Sequence, residues 1–192
     1  MTDLVASLRV AAATMAVCVA GYAALILGLA QAVTPGTADG SLVTAADGTV
    51  IGSRLIAQPF SQPGYVWPRP SAVSYAADGA GGSNLSPANP ELAARARALI
   101  DAHGGATADL PIPADLVTAS GAGLDPHVSE RGATFQAPRV AAARGVTPAE
   151  VLAVIDALAY EPGGPFTRGR VVNVLELNLA LDEALAAPAV GG

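Results

Sequence analysis

The 192-residue sequence has no lysine, one cysteine and two histidines, and only 14% of it is charged. Without lysine there is no Gly-Lys-Ser/Thr of a Walker loop, whose ammonium reaches the phosphates of a bound nucleotide. Ten arginines face sixteen carboxylates for a net charge of −6. The basic surface that neutralises a phosphate backbone is therefore missing, which excludes nucleic acid as a partner. Cys18 has no second thiol for an internal disulfide, and with His103 and His127 it falls short of a structural zinc set, so no metal site is expected. Aromatics are scarce at 4%, whereas 52% of the residues are hydrophobic. That composition folds or inserts into a membrane instead of staying disordered. The length suits one domain with an appendage.

The appendage stands near the amino terminus. Val10 to Val33 carries no charge over 24 residues. As a helix it extends about 36 Å, enough for a hydrocarbon core of roughly 30 Å. Its eight Leu, Ile and Val residues contribute roughly −2 to −5 kcal/mol to insertion. A cleaved signal peptide is the competing reading, because Ala30-Gln31-Ala32 has the small-x-small form of a cleavage site; the length favours a retained anchor. Arg9 flanks the start and the next cation is Arg54, so the amino terminus is expected on the cytoplasmic side. The resulting plan is a cytoplasmic segment 1–9, a transmembrane helix 10–33 and an extracytoplasmic domain 34–192. Ala12, Ala16, Ala20, Ala24 and Gly28 recur every fourth residue, a small-residue stripe of the kind across which membrane helices pack closely.

Beyond the membrane, apolar runs at 41–43 and 49–56 flank Asp47-Gly48 and read as two strands of a hairpin. Residues 61–90 form a long Gly/Pro-rich ordered loop, too long for mere connection. Asn89 and Pro90 open a helix over 91–103 that ends at Gly104-Gly105. Asp115 to Ser120 suggests a strand, and Ser129 caps a helix that Pro138 kinks before Gly145. Thr147 to Glu150 is a capping box opening a helix to about Tyr160. Val171 to Leu175 reads as a strand and Glu176 to Leu185 as a closing helix. The fold class is α+β: one amino-terminal transmembrane helix followed by a single mixed domain.

Ser120, Asp125 and His127 could be nucleophile, orienting acid and base of a hydrolase, but no Gly-x-Ser-x-Gly elbow presents the serine. Asp125-Pro126 is more simply a turn with His127 at its tip. Gly79 to Asn84 could cradle a phosphate or form a structural turn. Trp67-Pro68-Arg69-Pro70 could present a rigid guanidinium to a partner carboxylate, stack it on Trp67, or brace a loop internally. His103, at a helix end, suits an interaction with the helix C-terminus.

Together, Gly52-Ser53-Arg54-Leu55-Ile56-Ala57-Gln58, Trp67-Pro68-Arg69-Pro70-Ser71, Gly81-Gly82-Ser83-Asn84-Leu85, the run from Pro113 to Ser129, then Gln136, Arg139-Val140-Ala141, Arg144-Gly145 and Val172 to Asp182 resemble the C subunit of the Kdp potassium-transporting ATPase, the KdpC family. The sequence departs from the family pattern at Ala76 and over 162–170. The resemblance implies a single-pass accessory subunit of a P-type pump, bound to a potassium-translocating A subunit and an ATP-hydrolysing B subunit. It implies a catalytic chaperone that raises the B subunit's affinity for ATP and stabilises the assembly. ATP would then act through the B subunit, direct contact of this chain with the nucleotide staying open, and the chain would have no catalytic residue of its own. Trp67, Arg69, Ser83, Asn84, Asp115, Ser120, Asp125, His127, Asn173 and Asn178 are its candidate partner-contact or structural residues. An anchored serine hydrolase and a secreted binding module are the alternatives.

Overall fold

A computed structural model describes residues 2–185 except 106, 108, 109 and 167. The chain divides into two compact units, residues 1–51 and 52–192.

The first unit is dominated by one apolar helix, Thr2–Val33, none of it buried by protein. It consists of α1 (Thr2–Met15), a π-helical segment (Ala16–Gly21) and α2 (Tyr22–Val33). The helix therefore begins well before Val10, because Asp3 in the first turn suits the positive end of the helix dipole. Thr34 leaves helical geometry, and α3 (Pro35–Ala38) is a single turn with Pro35 at its start. β1 (Leu42–Thr44) and β2 (Val50–Ser53) form the expected hairpin. Asp47 closes its turn by accepting from the amide of Thr49.

The second unit mixes helices with a short sheet. α4 (Pro90–Ala102) starts where Asn89 accepts from the amide of Glu91, and α5 (Glu130–Arg144) where Ser129 accepts from Gly132. α6 (Pro148–Leu158) opens with the full capping box of Thr147 and Glu150. α7 (Val174–Ala184) is capped by Asn173, which accepts from Glu176. Pro138 sits inside α5 without ending it, and Gly145, at φ 68°, supplies the left-handed residue that does.

Two sequence expectations fail here. Residues 114–116 make a 3-10 turn and not a strand. His127 is not a turn tip but the first residue of a strand, β3 (His127–Ser129), which pairs antiparallel with β4 (Val171–Asn173) through His127↔Asn173 and Ser129↔Val171. A three-residue strand owes its conformation to its partner, so neither error was avoidable from local propensity.

Val140, Val151, Ile155, Val172, Leu177 and Leu181 form the core with Leu116 and the alanines of α5. Ala133, Ala137 and Ala141 make that helix face smooth, which lets neighbouring elements approach closely. One core residue, Val66, comes from the long loop and is wholly buried.

Candidate functional site

A loop segment driven into a core brings polar backbone with it, and each buried N–H and C=O must find a partner. Among the described residues no strand pairs with residues 63–67. Side chains take its place. Asn178 of α7 accepts from the amide of Val66 at 2.8 Å and donates to its carbonyl at 3.0 Å. Gln136 of α5 does the same for Trp67, at 2.8 and 3.1 Å. Arg139 donates to the carbonyls of Pro63 and Tyr65, and Arg144 to that of Gly64. Two amides and two guanidiniums, three of them from α5 and one from α7, thus clasp five consecutive loop residues.

The clasp is charged as well as hydrogen-bonded. The Arg144 side chain is fully buried and pairs with Asp182 at 2.7 Å, with its guanidinium 5.2 Å from the Tyr65 ring. The Arg139 guanidinium lies 3.9 Å from the centre of the Trp67 ring. Burial pushes Arg139 down to about 10, which leaves it cationic near neutrality. The His103 ring packs 5.2 Å from Trp67 and 6.4 Å from Phe135. Burial first, and then Arg139, lowers the His103 pKa below its ordinary value. His103 stands at the end of α4, as its position in the sequence suggests, but its ring is turned into the aromatic stack, where desolvation is the largest influence on it.

Arg69 meets an internal carboxylate. It pairs with Asp125 at 3.0 Å, and the cation on Trp67 is Arg139 instead. Asp125 also accepts from the His127 amide and sits 3.4 Å from its Nδ1, while Nε2 faces the Tyr160 hydroxyl at 2.9 Å. Burial would raise the Asp125 pKa, but the bonds from His127 and Arg69 outweigh it and hold the carboxyl below its usual range. Ser120 is buried and its hydroxyl has no hydrogen-bond partner among the described residues. The proposed hydrolase trio is therefore not assembled: Asp125 and His127 meet, and Tyr160 occupies the nitrogen that a nucleophilic serine requires.

The glycine loop is likewise used for packing. Gly81 donates its amide to the carbonyl of Ala122, and a Cβ on Gly82 would sit 3.0 Å from the carbonyl oxygen of Gly121. Two backbones approach there too closely for side chains, and an amide that a phosphate cradle would need is already committed. Ser83 accepts from Arg95 at 3.3 Å, and Asn84 takes a left-handed φ of 49°. Asp115 accepts from the amide of Ser129, and Asn173 donates to the carbonyl of Arg54 while capping α7.

These motifs hold together the compact unit that begins at Gly52. The family described as KdpC, the K+-transporting ATPase c chain, matches residues 4–183. The chain belongs to the KdpC family. A relative from Parvibaculum lavamentivorans, named a potassium-transporting ATPase KdpC subunit, is 57% identical over 182 residues, covering 95% of this chain and 97% of its own length. Relatives with the same name from Caulobacter sp. and Sorangium cellulosum are 49% and 48% identical, over 84% and 85% of this chain. In KdpC terms, the residues that sequence reasoning left without a role are Gln136, Arg139 and Arg144. They belong to the motifs that carry the family resemblance, but nothing near them in sequence points to the loop they hold.

Proposed function

We propose that the chain is the single-pass accessory subunit of the Kdp potassium pump, retained in the bilayer by its apolar helix. The amino terminus would lie in the cytoplasm and the folded domain outside, docked on the potassium-translocating A subunit and the ATP-hydrolysing B subunit. The observation that carries this reading is a 32-residue apolar helix without protein cover, on a chain whose relatives are named as pump subunits. At about 48 Å it exceeds the hydrocarbon thickness, so it crosses with length to spare.

The π-helical segment supports the small residues as the packing face. In an unbroken α-helix, residues four apart drift by about 40° per step, so five of them fan across about 160°. A π turn holds more residues, roughly 80° each, and brings Ala20 back to the azimuth of Ala12. Ala12, Ala16, Ala20, Ala24 and Gly28 then fall within about 60°, a straight stripe fit for one partner helix.

The subunit stabilises the assembly and raises the B subunit's affinity for ATP without holding nucleotide. Across a membrane, such an effect is a coupling free energy carried by the helix or by the A subunit. It is a non-catalytic role. Replacing both Ala20 and Ala24 by isoleucine should cut co-purification of the other pump polypeptides several-fold while membrane insertion is kept. Unchanged recovery of the complex would remove the stripe as the contact face.

A further inference from the structure

We propose that α4 is a flap over the Trp67 cavity, released when His103 takes up a proton. The helix buries no residue completely; Leu92, Ala96, Leu99 and Ile100 are half-covered. Near its middle, the tie to Ser83 is a 3.3 Å bond from Arg95, long for a charge-assisted contact. At its end, the His103 ring packs on Trp67 and Phe135. Leu99 and His103 wall a cavity of about 210 Å³ whose other sides include Phe60, Trp67, Pro70 and Tyr75. Directly after His103 come Gly104 and Gly105, both with left-handed φ near 89° and 86° and nothing near a would-be Cβ. That is a hinge beside a stack.

Protonation places a second cation where one already stands. The charge facing His103 from α5 is Arg139; the long loop contributes the Tyr75 phenol, kept neutral because burial raises its pKa. On its own helix, Asp101 is exposed and turned to solvent-screened surface. Because docking lowers the His103 pKa below 6.5, the docked form binds its proton less readily. Docking is then complete above pH 6.5 and weakens as pH falls through that value. The inference is independent of the sidedness proposed above.

The full chain in detergent micelles provides the test, with amide exchange of residues 92–102 followed from pH 8 to pH 5 after correction for intrinsic rates. Protection should fall about tenfold in acid while α5 stays protected. In His103→Gln, and in His103→Phe, which keeps the stacking, protection should not change with pH. Trp67, the one tryptophan in the chain, should report the same transition by emission in the unmodified protein and not in the variants. Protection that is constant in the unmodified chain, or lost equally in both variants, overturns the flap.

Discussion

Asn178→Leu should cost the folded domain about 2–6 kcal/mol, the sum of two buried backbone groups left unpaired at roughly 1–3 kcal/mol each. Leucine matches the volume, so the loss isolates the hydrogen bonds to Val66. Val66 is wholly buried and water cannot take over. Against a typical total stability of about 5–15 kcal/mol, this is a large fraction. Urea unfolding of the full chain in micelles measures it, and amide exchange should place the loosening at residues 63–67. Gln136→Leu should act in the same direction through Trp67. The double variant should lose less than the two single losses combined, because one detached segment cannot be detached twice. A change below about 0.5 kcal/mol for Asn178→Leu would mean the loop is held by its apolar contacts alone.

Arg144→Met should be comparably severe, about 2–6 kcal/mol, the sum for two buried carbonyls left without their donor at roughly 1–3 kcal/mol each. The loss has separable parts. Asp182 is partly exposed and recovers water, whereas the carbonyls of Gly64 and Leu181 lose their donor inside the protein. Arg144→Lys keeps the charge but not the planar fork that reaches Gly64, Leu181 and Asp182 together, so it should fall between Met and the parent chain. The same unfolding measurement ranks the three proteins. Equal stability of the Lys variant and the parent would reduce the role of Arg144 to charge.

Much of this domain was legible because its helix starts are local events. Asn89, Ser129 and Thr147 each cap the helix that they announce, since a side chain and an amide two or three residues on satisfy one another without help from elsewhere. The strand expected at 115–120 is absent because Asp115 spends its carboxylate on the amide of Ser129, a contact across 14 residues. β3 was invisible for the converse reason: its conformation comes from β4. The clasp shows the limit most plainly. Asn178 was singled out through family resemblance, but nothing near it in sequence points to Val66, 112 residues away. Arg69, held between two prolines, finds its acceptor inside the domain, at Asp125.

The central claim is that the amino-terminal helix stays with the folded domain and tethers it to a pump. Affinity isolation of natively produced protein, with mass spectrometry of its amino terminus and of whatever accompanies it, tests that claim most directly. The account predicts recovery from the membrane fraction with residues 10–33 intact and the potassium-translocating and ATP-hydrolysing polypeptides alongside. A chain beginning just after Ala32, found in the aqueous fraction without companions, would contradict it.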